Sequence, residues 1–213
     1  MNSIMDKEYW SNYYLNQRQD RQPTLFAKHI IENYIKDEHS KLIELGCGNG
    51  RDSIYFSKRA LNVVAVDQVK EEIDFLQNQF NKNKNIKFIS SDFCELGKEE
   101  IYDIVYSRFT LHSITSAQQS RVLNWAFNQL NEGGLFCIEV RGKKNELYKK
   151  GEAVVNEKDA YIYNDHYRRF LDYDDFCDDL KKIGFTLEYS KEAKGFAPYK
   201  NTNETFIRVI AKK

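Results

Sequence analysis

The sequence lacks several features that mark specialised classes of protein. Its 213 residues include only two prolines, and 32 basic and 32 acidic side chains leave no net charge. Without a basic tail or a net positive charge, neither nucleic acid nor a membrane surface is an expected partner. No apolar run is long enough to span a bilayer, and the N-terminus is polar and aromatic rather than a signal peptide, so a cytoplasmic location is expected.

Cysteine is also scarce, and its spacing excludes the usual cysteine-based sites. The four cysteines lie far apart with no C-x-x-C pair, so we expect buried free thiols in a reducing compartment, and no metal is expected. They are Cys47, Cys94, Cys137 and Cys177. The chain has the length of one domain, and we interpret residues 1–213 as a single domain.

From residue 41 onward, apolar strands alternate with helices, which predicts an α/β fold with a doubly wound, Rossmann-like sheet. The predicted parallel strands are Leu42–Leu45, Val63–Val66, Ile86–Ser90, Ile104–Ser107 and Leu135–Val140. The predicted helices are Arg51–Arg59, Lys70–Asn81, Ser116–Leu130 and Tyr173–Ile183, with a helix stop at residues 132–134. Two last strands, Thr186–Tyr189 and Phe206–Ala211, are expected to form an antiparallel hairpin that completes seven strands.

Two further segments are predicted to cover the sheet. Residues 1–40 contain two helical patterns, Asp6–Asn16 and Thr24–Ile35, and helical spacing places aromatic side chains of the first pattern on shared faces. Residues 143–170 are polar, charged and rich in tyrosine, and we interpret them as a mobile cap.

The most informative motif is the run ELGCGNGR at residues 44–51, followed by the second strand, NVVAVD, which ends at Asp67. The glycines can adopt positive φ, and the helix start offers free N–H groups to a negative ligand. Asp67 is placed to accept both hydroxyls of a ribose. A dinucleotide fingerprint needs its third glycine where Arg51 stands, whereas Glu44 suits the ammonium of an amino-acid ligand. An amino acid joined to a nucleoside is S-adenosylmethionine.

These residues resemble motif I of the class I S-adenosylmethionine-dependent methyltransferases. The segment LGCGNGR with the following Ser53 and Tyr55 is most similar to the tellurite-resistance and thiol branch. The resemblance implies S-adenosylmethionine as cofactor, with Asp92 on the adenine amino group, Gln68 along the adenine face and an N-terminal helical lid over the site. The expected cofactor-binding residues are Glu44, Gly46, Cys47, Gly48, Gly50, Arg51, Asp67, Gln68, Asp92, Phe93 and Ser107.

Ligands of such sheets bind beyond the carboxyl ends of the strands, where several arginines follow strands four and five. Arginine forks match phosphate and carboxylate oxygens, so a small anionic acceptor is predicted: a phosphate, phosphonate, phosphoramidate, carboxylate or phosphorylated sugar. The alternative is that the arginines form structural salt bridges. Candidate catalytic residues are His112, Arg108 and Arg141, and candidate acceptor-binding residues are Tyr9, Tyr13, Tyr14, His166, Tyr167, Arg168 and Arg169.

The role of His112 depends on the acceptor. An already ionised oxygen needs only positioning, whereas a neutral hydroxyl, amine or thiol needs His112 as a base. A protein that binds S-adenosylmethionine without transferring its methyl group is an alternative of another class. Residues 166–170 and 195–200 are similar to surface-polysaccharide and phospho-tailoring methyltransferases, which favours such an acceptor. The oligomeric state is left open.

Overall fold

The computed structural model describes residues 9–10, 21–37, 39–98 and 100–213. Its main sheet has seven strands in the order β3-β2-β1-β4-β5-β10-β9, of which only β10 runs against its neighbours. The strands are β1 (Lys41–Leu45), β2 (Asn62–Asp67), β3 (Ile86–Ser90), β4 (Tyr102–Arg108), β5 (Leu130–Val140), β9 (Thr186–Ala193) and β10 (Phe206–Lys212). The predicted fold class, five parallel strands followed by an antiparallel hairpin, is confirmed.

From residue 21 onward, the described part of the chain has five α-helices that flank the sheet: α1 (Leu25–Asn33), α2 (Arg51–Ser57), α3 (Lys70–Gln79), α4 (Ser116–Gln129) and α5 (Tyr173–Ile183). Side-chain caps set several of their starts, because the first N–H groups of a helix lack internal partners. Thr24 caps α1, Thr115 and Gln118 form a reciprocal capping box at α4, and Asp172 caps α5. None of the helices in the described ranges combines the length and the apolar character needed to cross a bilayer.

The prediction that residues 132–134 end a helix is wrong. Helix α4 ends at Gln129, and β5 begins at once with Leu130, so these residues belong to a strand. Leu130 pairs with Tyr102, and the register between β4 and β5 then shifts before Ile104. Gly134 allows this irregular pairing, since a Cβ there would lie 3.1 Å from the carbonyl oxygen of Asp103.

The central strands β1, β2 and β4 are buried on both faces, which explains why they are largely apolar. Strand β1 illustrates the alternation: Ile43 and Leu45 join the cluster formed with α4 and α5, whereas Leu42 joins the cluster formed with α1, α2 and α3. All four cysteines are buried free thiols, as expected.

The cap at residues 143–170 contains a second sheet that the sequence analysis did not predict. Strands β6 (Glu152–Ala153), β7 (Ala160–Tyr163) and β8 (His166–Arg169) form an antiparallel meander. Backbone hydrogen bonds from Lys143 to Leu171 and from Leu171 to Arg141 join the two ends of this insertion at the carboxyl end of β5. The insertion therefore returns to the edge of the sheet where the predicted acceptor residues lie.

Of the predicted N-terminal lid helix Asp6–Asn16, only Tyr9 and Trp10 are described, and both are helical. Tyr13 and Tyr14 lie outside the described residues. The second predicted helix of this region is present as α1, two residues shorter at its C-terminal end than expected.

Candidate active site

The loop after β1 is held tightly against the sheet. The backbone N–H groups of Gly46 and Cys47 both donate to the carbonyl oxygen of Val66, at 2.8 Å each. Gly46, Gly48 and Gly50 have φ of 74°, 54° and 74°, the region that glycine adopts without strain. A Cβ at Gly46 would lie 2.4 Å from Cγ2 of Thr110, so no side chain fits at that position.

Asp67 ends β2 directly beside this loop and is buried. One carboxylate oxygen accepts the N–H of Gly48 at 2.9 Å, and the other accepts the N–H of Val69 at 3.0 Å. Each carboxylate oxygen has a second acceptor position, so a carboxylate oriented in this way can still receive a ligand hydroxyl. The arrangement fits the predicted ribose contact.

Glu44 is buried, and the hydroxyl of Ser53 donates to its carboxyl group. Burial, and then the nearby charge of Asp52, raise the pKa of Glu44 well above its ordinary value. The observed contact fastens the start of α2 to β1, and the predicted ammonium contact stays a prediction.

Asp52 was not singled out from the sequence, yet it is the centre of a buried network. Its carboxylate accepts the backbone N–H and the hydroxyl of Thr24, both at 2.8 Å, and the hydroxyl of Tyr106 at 2.9 Å. The network connects the cap of α1 to the first turn of α2 and to β4. Local sequence offered no signal for it, because its three members are far apart in the chain.

Two of the predicted adenine-side residues, Asp92 and Phe93, lie in the loop after β3, and the third, Gln68, follows β2. The Asp92 side chain accepts the N–H of Cys94 at 2.8 Å and so caps a short 3₁₀ helix, Phe93–Glu95, while the residue itself is exposed. The Phe93 ring approaches the position of a Gly46 Cβ to 3.8 Å. Gln68 is half-buried directly after Asp67. Phe93 therefore borders the glycine loop, and the adenine contacts of these residues stay predictions.

The three remaining predicted cofactor residues are Cys47, Arg51 and Ser107. Cys47 is buried, and burial together with Asp67 raises the pKa of its thiol, which stays protonated. Arg51 is half-buried at the first position of α2. The Ser107 hydroxyl lies 2.5 Å from that of Thr110, and this bond holds the threonine methyl group against Gly46.

The first arginine of the predicted acceptor site has a structural partner. Nε of Arg108 donates to Glu139 at 3.0 Å, and Glu139 also receives Arg208 at 2.6 Å. The guanidinium group of Arg108 stacks on Phe109, whose φ of 60° places a non-glycine residue in the left-handed region. Arg108 therefore takes part in a buried charge triplet, which is the structural alternative foreseen for these arginines.

Arg141 is likewise engaged within the chain. Its guanidinium group donates to Asn145 at 2.8 Å and forms an ion pair with Glu204. Its backbone N–H donates to Nδ1 of His112 over 3.4 Å. Arg141 therefore stands next to the predicted catalytic histidine but has its charge compensated by Glu204.

The predicted lid and cap meet at His166. Its ring stacks on Tyr9 with centroids 4.4 Å apart and contacts Trp10 edge to face at 5.0 Å. The ring is buried, and its Nδ1 has no hydrogen-bond partner among the described residues. Two segments that the sequence analysis assigned to the acceptor are thus in direct contact.

Strand alternation divides the four acceptor candidates of β8 into two pairs. Arg168 shares a face with His166 and interacts with Tyr9. Arg169 shares the opposite face with Tyr167 and bonds the carbonyl oxygen of Ile114 and the side chain of Gln119. The contacts of Arg169 anchor the cap beside α4, and the acceptor roles of Tyr167 and Arg169 stay predictions.

We expect the folded protein to lose stability in acid because of two buried histidines, His166 and His112. Burial lowers the pKa of His166 to about 3 and that of His112 well below its ordinary value. The unfolded chain binds these protons near pH 6.5, so their contribution is present above that pH and is lost as the pH falls toward 3. The His166→Phe variant keeps an aromatic ring against Tyr9 but cannot bind this proton. Between pH 6.5 and 5, we expect its unfolding free energy to fall less steeply than that of the original chain, by about 1.4 kcal/mol per pH unit.

Chemical denaturation at several pH values measures this effect. His39→Asn is the matched control, because His39 is exposed. Equal pH dependence in His166→Phe and the unsubstituted chain would contradict the expectation.

The chain is similar to known methyltransferases. A family model described as a methyltransferase domain matches residues 42–134. The ubiquinone biosynthesis O-methyltransferase of Rickettsia felis is 23% identical over 81% of this chain and 70% of its own length. The probable S-adenosyl-L-methionine-dependent methyltransferase TehB of Haemophilus influenzae is 28% identical, over 46% of this chain and 35% of its own length. This chain spans about half the length of some other curated relatives that it matches.

Among solved structures, the fold is shared with the 1,6-didemethyltoxoflavin-N1-methyltransferase of Burkholderia thailandensis, determined with S-adenosylhomocysteine. The TM-score is 0.75 at 19% identity, over 99% of this chain and 88% of that one. At this identity the likeness establishes the fold alone.

Proposed function

We propose that this chain, which carries a class I S-adenosylmethionine-dependent methyltransferase domain and resembles TehB, transfers a methyl group to a small polar acceptor. S-adenosylmethionine is the cofactor of that domain and supplies the methyl group from its sulfonium centre. The residues present fit it: Gly46 leaves a cradle that a Cβ would fill, and Asp67 is held rigidly beside that cradle.

In this proposal the glycine loop holds the amino-acid part of the cofactor and Asp67 binds the ribose. Asp92 and Phe93 contact the adenine. Residues 1–40 and 143–170 cover the acceptor and exclude water from it. A dry pocket favours the reaction because attack by an anionic oxygen on a sulfonium carbon neutralises charge in the transition state. The contact of Tyr9 with His166 supports this closure, since it joins the two covering segments.

We further propose that the acceptor is anionic. The environment of Arg168 is the observation that supports this proposal. Its guanidinium group donates to the carbonyl oxygens of Tyr163 and His166, and among the described residues it forms no ion pair with a carboxylate. Burial, and then the positive charge of Arg141, lower its pKa. An anion bound there would give Arg168 the counter-charge that the described residues do not supply.

The names of the relatives do not select the acceptor atom. The Rickettsia protein is named for O-methylation and the Burkholderia protein for N-methylation. The similarity of residues 166–170 to surface-polysaccharide enzymes adds a phosphorylated sugar to the acceptors worth testing.

The test is S-adenosylhomocysteine release with excess S-adenosylmethionine. The anionic probes are benzoate, phenyl phosphate, methylphosphonate and glucose 6-phosphate, and the neutral or cationic ones are benzyl alcohol, glucose, benzylamine and phenylmethanethiol. We expect turnover with anionic probes only. Arg168→Gln should lower kcat/KM by about 10- to 100-fold, the effect of losing a hydrogen bond to a charged group.

Arg121→Gln is the control, because that arginine is exposed and pairs with Glu95 on the surface. Equal turnover of neutral probes would contradict the anionic acceptor while leaving methyl transfer intact. Cofactor binding by calorimetry, without turnover of any probe, would favour a non-catalytic binding protein.

A further inference from the structure

His112 lies beside the cofactor cradle. It belongs to a short 3₁₀ turn, Leu111–Ser113, that follows β4 directly. Thr110 precedes it by two residues, and the Thr110 methyl group is the atom that leaves no room for a Cβ at Gly46. The histidine is therefore close to the loop that the proposed function assigns to the cofactor, and its ring is buried.

The hydrogen bonding of the ring determines where its proton sits. Nδ1 of His112 faces the backbone N–H of Arg141 at 3.4 Å, and a backbone N–H can only donate. Nδ1 is thus the acceptor, and a neutral ring must carry its proton on Nε2. The backbone of Arg141 is itself held in place, because its carbonyl oxygen accepts the N–H of Leu171 at 3.1 Å.

Nε2 of His112 has no hydrogen-bond partner among the described residues. With its proton on that atom, the ring presents a donor to whatever approaches it. To act as a base, the ring would have to accept a proton at Nδ1, the nitrogen that faces the backbone N–H of Arg141, and become an imidazolium.

The surroundings oppose that imidazolium. The groups with the largest electrostatic effect on His112 are Arg141 after β5 and His166, Arg168 and Arg169 on β8. Carboxylates pair with two of these arginines, Glu204 with Arg141 and Glu157 with Arg169. Burial first, and these positive charges next, lower the pKa of His112 well below its ordinary value. A proton taken from an acceptor would be placed in a buried, positively charged environment.

We propose that His112 donates a hydrogen bond from Nε2 to an acceptor oxygen that is already ionised, and that it does not deprotonate the acceptor. This inference rests on the proposed function and narrows its acceptor to an oxyanion. The oxyanion's lone pair forms the new bond to the methyl carbon, and the carbon–sulfur bond breaks with its electron pair left on sulfur. No proton moves, so no base is required.

The first test needs no acceptor. Long-range ¹H–¹⁵N correlation spectra of the ¹⁵N-histidine-labelled chain, with His112→Gln used to assign the signals, distinguish the two tautomers. We expect an Nε2–H ring that does not titrate between pH 6 and 8. An Nδ1–H ring, or a ring that titrates in this range, would overturn the proposal.

The second test compares two amides that replace different ring nitrogens. The amide nitrogen of His112→Gln can occupy the position of Nε2, whereas that of His112→Asn reaches only the position of Nδ1. With the acceptor that turns over best, we expect kcat of the Gln variant to stay within about 10-fold of the original and the Asn variant to lose about 10- to 100-fold. Rates of the original chain should not change between pH 6 and 8.

A base would behave differently. Loss of a general base costs about 10²- to 10⁴-fold, and Gln would then be as inactive as Asn, with a rate that rises with pH through the histidine pKa. That result would overturn the proposal even if methyl transfer is confirmed. An Nε2–H ring in a chain that turns over no acceptor would instead refute the proposed function, and with it the acceptor contact of His112.

Discussion

Gly46→Ala is expected to weaken the binding of S-adenosylmethionine by roughly two orders of magnitude. A side chain at φ of 74° costs about 1–2 kcal/mol, and overpacking of a buried contact costs a further ~1–3 kcal/mol. The new Cβ would meet Cγ2 of Thr110 at 2.4 Å, and the bond of Thr110 to Ser107 prevents that methyl group from rotating away. The loop must therefore move, and its N–H groups move with it. Isothermal titration calorimetry measures the affinity.

Two further variants separate the steric contact from general strain. Gly133→Ala places a side chain at φ of 79° and therefore has the same conformational strain. Its Cβ would approach nothing closer than 3.8 Å, so cofactor affinity should be unchanged. Thr110→Ser removes the opposing methyl group and keeps the hydroxyl, so it should restore part of the affinity in the Gly46→Ala background. Unchanged affinity in Gly46→Ala alone would show that this loop does not contact the cofactor.

Glu139→Gln is expected to lower the melting temperature by about 10 °C. Glu139 is 1% exposed and receives both Arg108 and Arg208, so neutralising it leaves two largely buried guanidinium groups without their counter-charge. Breaking a buried ion pair costs about 3–5 kcal/mol, and about 2–4 °C is lost per kcal/mol in a chain of this size. Differential scanning calorimetry of the full chain measures the change.

Asp74→Asn is the matched control, since it removes an exposed carboxylate that pairs with Lys70 one helical turn away. Exposed pairs of this kind contribute little, so its melting temperature should stay close to that of the original chain. A Glu139→Gln variant as stable as Asp74→Asn would mean that the triplet does not support the fold. Arg108 would then again be a candidate for the acceptor site.

Much of the fold follows from local patterns in the chain. Strands buried on both faces are apolar without interruption, as in the segment that ends at Asp67, and glycines mark the turn between β1 and α2. Helix α5 was predicted with the bounds that the structure has. The predicted secondary structure was wrong where pairing between strands overrides the local preference of the residues. Leu130 was predicted to end a helix, but it begins β5 because it pairs with Tyr102 of the neighbouring strand β4.

The candidate site was predictable only in part, for a similar reason. The composition of the glycine loop and its acids is local, so the sequence by itself was enough to predict a cofactor and the loop that would hold it. What each polar side chain does there depends on partners distant in the chain. Arg108 meets Glu139, Tyr9 meets His166, and the backbone of Arg141 orients His112, so only the tertiary structure decided these roles. A sequence records which groups are present, but hydrogen bonds and charge pairs act over a few ångströms, and those distances exist only once the sheet has brought the segments together.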